Sequence, residues 1–106
     1  MDIKPGIFER IAEYLNRVQA LIAEERAAHF PSLPMPNVYL EHGRRYVRVA
    51  KFNGSQNMVH TFVDLTNGDV LKAAGWDGPT LKHPRSNVFD ADYGMSGVTT
   101  HGAKYL

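Results

Sequence analysis

Three prolines in six residues, Pro31-Ser32-Leu33-Pro34-Met35-Pro36, cut the chain where its hydrophobic period changes. Proline fixes φ and has no N–H to donate, so neither a helix nor a central strand runs through such a stretch. Apolar residues before it recur every three to four positions, and those after it alternate every two. The two parts therefore fold as different kinds of structure and must cover one another, which restricts the chain to an α+β arrangement. The connector 31–36 reads better as an extended, stiff linker than as a proline-rich recognition ligand.

Residues 5–30 predict one amphipathic helix. Ile7, Phe8, Ile11, Tyr14, Leu15, Val18, Leu21 and Ile22 share a face, and Glu9, Arg10, Glu13, Arg17, Glu24 and Arg26 take the other. Pro5 suits a first turn, His29 suits the negative end of the helix dipole, and Pro31 stops the run. The rod would be ~37 Å long. Either the sheet covers its whole stripe, or a second copy of the chain covers part of it.

Residues 37–74 predict a four-strand antiparallel meander, with strands at 37–41, 45–52, 57–65 and 69–74. The turn signals are His42-Gly43, Asn53-Gly54 and Asn67-Gly68. A two-residue first turn pairs Glu41 with Arg44, Tyr39 with Tyr46 and Val38 with Val47. A three-residue third turn with a bulge at Gly68 pairs Val63 with Leu71 and Thr61 with Ala73. The middle hairpin has no preferred register. Alternation sends Val47, Val49, Val59, Thr61, Val63 and Leu65 to one face, which suits the helix. Tyr46, Arg48, Ala50, Phe52, Met58, His60, Phe62 and Asp64 go to the other.

Residues 75–106 show little periodicity and are broken by Gly75, Gly78, Gly94, Gly97 and Gly102. Their aromatic residues, Trp76, Phe89, Tyr93 and Tyr105, argue for an ordered irregular segment. It is expected to wrap over part of the second sheet face. The whole is a single domain of 106 residues.

Composition narrows the chemistry. With no cysteine, disulfides, thiolate metal sites and thiol nucleophiles are excluded. No apolar run reaches the roughly 20 residues of a bilayer span. No signal-peptide pattern opens the chain, so a cytoplasmic location is expected. The net charge of +1 implies no polyanionic partner by itself. Yet Arg44, Arg45, Arg48 and Lys51 cluster with no acid among them.

Two constellations carry possible chemistry. Tyr46, Arg48, Phe52, His60 and Phe62 on one strand face resemble a stacking platform for single-stranded nucleic acid, flanked by Arg44, Arg45 and Lys51. The plain alternative is that they are core. Trp76 with Lys72, Lys82, His83 and Arg85 could converge on an anion from a loop. There the alternative is a tryptophan anchor pinning a solvated loop. No histidine spacing suits a metal, and Asp90-Ala91-Asp92 departs from a calcium loop at Met95 and His101. Asp64 and His60 share a strand face on either side of Phe62, and a structural hydrogen bond is the expected relation. No catalytic constellation and no cofactor motif stand out.

Gly68 to Lys72, Trp76, and the run Lys82-His83-x-Arg85-x-Asn87-Val88-Phe89-Asp90 are followed by Gly94, Gly102 and a Tyr105-Leu106 end. This order resembles a group of small bacteriophage proteins of no assigned activity. The resemblance implies a viral source and a site in the host cytoplasm, and it covers the C-terminal half. The first expectation for function is a non-enzymatic accessory protein binding nucleic acid or a phosphate-bearing ligand through Arg44, Arg45, Arg48, Lys51, Trp76, Lys82, His83 and Arg85. The alternative is a protein–protein interaction module, or a homodimer joined through the helix stripe, acting on a host protein. An enzyme using His83 with Asp90 or Asp92 ranks third.

Overall fold

The computed structural model describes residues 1–29 and 31–105; the expected helix end at Phe30 and the terminal Leu106 lie outside them. One helix, α1 (Ile7–His29), packs on an antiparallel sheet. The sheet comprises β1 (Asn37–His42), β2 (Tyr46–Phe52), β3 (Asn57–Asp64), β4 (Asp69–Leu71) and β5 (Ser86–Asn87), neighbouring one another in chain order. The chain is thus α+β as expected, with five strands in place of four. A short 3-10 turn (Met95–Gly97) leads into a separate hairpin, β6 (Val98–Thr99) and β7 (Gly102–Ala103).

Pro5 does not open the helix. Gly6 steps through φ 80°, and the helical ladder begins with the Arg10 N–H donating to the Gly6 carbonyl at 3.4 Å. Ile7, Ile11, Tyr14, Val18 and Ile22 are all buried within the chain. They meet Val47, Val49, Val63, Leu65 and Val70 of the sheet region and Val88 and Val98 of the C-terminal segment. These five have their cover in the chain's own residues, while Phe8 of the same stripe stays 48% exposed. The arm around Trp76 turns over part of the second sheet face as expected, and residues 88–98 in addition supply core under the helix.

Two registers depart from the sequence reading. β1 and β2 pair Glu41 with Arg48, Leu40 with Val49 and Val38 with Lys51, four residues away from the expected pairing. An even slip keeps every side chain on its face, so alternation cannot detect it. The longer ladder closes through the Gly43 N–H donating to the Tyr46 carbonyl at 3.0 Å. It also sets Arg48 3.3 Å from Glu41. At the third turn Val63 faces Val70 and Phe62 faces Leu71, one residue from the bulged turn expected. The loop is longer because Asp64 accepts bonds from the Thr66 N–H and hydroxyl at 2.8 and 2.7 Å. The slip sends Val70, fully buried, to the helix side in place of Leu71.

The middle hairpin carries a bulge. Val49 pairs with Thr61 but Ala50 pairs with Val59, leaving His60 without a cross-strand partner. A bulged residue loses the alternation of its neighbours. His60 is accordingly withdrawn from the second face and buried, its ring centroid 6.5 Å from that of Tyr14.

Candidate functional site

The structure separates the expected site residues into three places. Arg44 and Arg45 sit in the β1–β2 turn. The Arg45 guanidinium donates to the Asp64 carboxylate at 3.1 to 3.4 Å. Burial alone would raise the Asp64 pKa, but the bonds from Thr66 and Arg45 hold it below its ordinary value. Arg44 makes no side-chain hydrogen bond or ion pair among the described residues. Arg48, on the sheet face away from α1, donates from Nε to the Trp76 carbonyl at 2.8 Å. Its guanidinium carbon lies 4.3 Å from the Trp76 ring centroid and 5.8 Å from that of Phe62.

Lys51 is not with them. It faces the helix, is 8% exposed, and donates to the Thr100 carbonyl at 3.0 Å. Burial lowers its pKa. The basic run Arg44, Arg45, Arg48 and Lys51 is contiguous in sequence and divided by strand alternation in space.

Trp76 is at the tip of an arm that continues β4. The Thr80 N–H donates to the Lys72 carbonyl at 2.7 Å, and the Ala74 N–H to the Gly78 carbonyl at 3.0 Å. The arm folds back so that Trp76, still 38% exposed, lies on Arg48. Lys82 and His83 follow on an exposed loop. Arg85 turns away from solvent anions: Nε donates to the Lys104 carbonyl at 2.7 Å and Nη1 to the His83 carbonyl. Trp76 thus packs on Arg48, and Arg85 is taken up by backbone carbonyls rather than turned outward with Lys82 and His83.

The stacking platform is likewise dismantled. Phe62 is 3% exposed beneath Arg48 and His60 is 2% exposed behind the bulge, while Phe52 stands at the far end of β2. What remains is a cleft of about 380 Å³ at the β1–β2 turn, with Arg44, Arg45, Arg48 and Tyr46 along it and Glu41 and Asp77 also lining it. Of the two acids, Asp77 is one that sequence reasoning passed over, and Glu41 is expected there only as a strand partner of Arg44. Asp77 adjoins Trp76 in the arm, and the four-residue change of register sets Glu41 against Arg48 in place of Arg44.

His60 and Asp64 do not bond to one another. The Thr99 carbonyl 2.8 Å from His60 Nε2 can only accept, so that nitrogen carries the proton. Nδ1 then accepts from the Thr61 hydroxyl at 3.0 Å, and Thr61 accepts from the Tyr14 hydroxyl at 2.6 Å. Burial pushes the His60 pKa down to about 4 and raises that of Tyr14. The relay is neutral and saturated. No group of three or more histidines and carboxylates able to hold a metal ion occurs among the described residues. Nor is any helix among them long and apolar enough to cross a membrane.

No curated protein and no solved structure matches the chain. A family model does match, over residues 8–102, which spans the helix, the five-strand sheet and the β6–β7 turn together. The chain belongs to the family it describes, a family of unknown function designated DUF7717.

Proposed function

We propose that the protein is a non-enzymatic binding module for a phosphate-bearing ligand, with single-stranded nucleic acid as the first choice, held at the β1–β2 cleft. One observation carries the reading: the Arg48 guanidinium lies 4.3 Å from the ring centroid of a partly exposed Trp76 and is held there by the Trp76 carbonyl, with the unpartnered Arg44 and the exposed Arg45 lining the cleft. An aromatic face beside guanidinium groups suits a base and its phosphate, and stacking is worth roughly 1–3 kcal/mol per base. Arg44 offers a planar fork for a phosphate. The resemblance of the C-terminal half to small bacteriophage proteins supports a phage-encoded accessory role.

Glu41 and Asp77 in the same cleft favour a second reading, a protein–protein contact. Tryptophan, tyrosine and arginine are the usual anchors of such contacts, and a mixed-charge rim suits a mixed-charge partner. Titration of labelled single-stranded DNA and RNA at two salt concentrations decides between them. Binding at micromolar protein that weakens with salt is expected, with Arg44→Glu and Trp76→Ala each reducing affinity about tenfold. An absence of salt-sensitive binding would leave the protein–protein reading.

A further inference from the structure

We propose that a notch at the sheet edge, separate from the arginine cleft, is a second anion site that takes a small phosphomonoester with a planar apolar body, of the mononucleotide class. β3 pairs with β4 only at Phe62 and Val63. Beyond that point β4 departs into the Trp76 arm, and the first half of β3 is flanked by β7. The divergence opens a cavity of about 440 Å³, a size typical of small-molecule sites.

Its lining differs in kind from that of the arginine cleft. Lys72, His101 and Lys104 contribute to it, Val59, Ala73 and Ala103 add apolar surface, and no carboxylate lines it among the described residues. In the arginine cleft Arg45 and Arg48 each face an acid. Here the Lys72 ammonium has only the Tyr105 ring, 5.4 Å away, and the Lys104 side chain has no partner among the described residues. The acid that acts on His101 is Glu25. It belongs to the helix, is held by the Thr100 hydroxyl at 2.6 Å, and lines the adjoining cavities. Uncompensated cations around an apolar floor raise the local potential for an anion, and a doubly charged one answers them better than a single carboxylate.

The notch is also built rigidly. His60 Nε2 holds the Thr99 carbonyl on one side and Arg85 Nε holds the Lys104 carbonyl on the other. Between them Gly102 lies so close to β3 that an added Cβ would stand 2.7 Å from the His60 carbonyl oxygen. Arg85 thus acts as a positioning residue for Lys104. A backbone fixed before the ligand arrives lowers the ordering cost of binding. Tyr105, 87% exposed and beside Lys72, supplies the ring against which a planar body can stack.

The test is amide NMR on the isotopically labelled full chain, titrated with adenosine monophosphate and separately with inorganic phosphate. Adenosine monophosphate should shift residues 72–73 and 101–105 saturably in the millimolar range or below, and inorganic phosphate should bind the same amides about tenfold more weakly. Combined Lys72→Glu and Lys104→Glu should abolish the shifts. Lys72→Gln with Lys104→Gln, a milder pair, should weaken binding about tenfold with the rest of the spectrum unchanged. Arg44→Glu should leave this titration unaltered. No saturable shift, or shifts that survive both pairs of substitutions, would overturn the site. Equal affinity for phosphate and nucleotide would overturn the planar body. Shifts confined to residues 41–48 would assign the ligand to the arginine cleft, removing this proposal and sparing the other.

Discussion

His60 shows how far a single residue can depart from its strand's pattern. Alternation places it beside Phe62 on the second face, and one extra residue opposite Ala50 turns it inward. Nothing in the local sequence announces that bulge; it follows from the Tyr14–Thr61–His60–Thr99 relay, whose members come from three separate parts of the chain. The relay makes stability depend on pH with a definite sign. The unfolded histidine titrates near 6.5 and the buried one at about 4, so between those values the unfolded state binds the extra proton. The stabilisation is whole above pH 6.5 and is lost as pH falls toward 4, by up to ~3 kcal/mol. Urea unfolding at pH 7 and pH 4.5 should show it, and His60→Gln should flatten the change in that window. Asp64, whose pKa is lowered, acts below that window, as pH falls past its unfolded value. Tyr14→Phe removes the first donor of the relay and should cost about 1 kcal/mol at neutral pH.

At the scale of elements, the sequence was clear where periodicity was one-sided and silent where it was not. α1 and the first half of β2 are legible because Val47 and Val49 alternate with Tyr46 and Arg48 as the helix stripe alternates with its charged face, whereas Lys51 breaks the pattern by turning toward the helix. The β4 register is not legible, since Val70 and Leu71 are equally good candidates for the core and adjacent residues point oppositely. β5 is Ser86-Asn87, two polar residues with no strand signal, held by pairing to β4. Periodicity puts Arg10 on the solvated helix face, yet it joins α1 to the C-terminal segment. It donates from Nε to the Val88 carbonyl at 2.7 Å and from Nη2 to the Asp90 carbonyl at 2.6 Å. Its guanidinium carbon is 3.6 Å from the Tyr93 ring centroid, with Arg17 at 4.4 Å from the same centroid. Arg10→Met keeps the aliphatic stem and loses these donors, so a cost of ~2 kcal/mol is expected from two charge-assisted bonds at the surface. Hydrogen exchange should quicken at residues 87–93 while β2 and β3 stay protected. Equal quickening everywhere would show that this segment opens only with the whole fold.

For the whole molecule, the question raised by the helix is how so long a rod is covered by so small a chain. The molecule measures 44 × 28 × 26 Å, and 23 residues of helix occupy ~35 Å of the long axis. β3, the longest strand at 8 residues, extends only ~27 Å. The helix is therefore longer than the longest strand, and Val88 and Val98 of the C-terminal segment join the sheet residues in covering its buried face. The segment with the least periodicity is thus part of the core, which composition hinted at through its aromatics and which no local pattern could show. Its removal should act on the whole fold. A chain ending at Pro84 loses β5, both core valines and the β6–β7 hairpin, and should lose cooperative thermal unfolding and near-ultraviolet dichroism. Val88→Ala and Val98→Ala, which leave the backbone in place, should each cost ~2 kcal/mol through the cavity they create. A truncated chain that still melted cooperatively would show that helix and four strands suffice, and that the last 22 residues are an appendage to a core already closed.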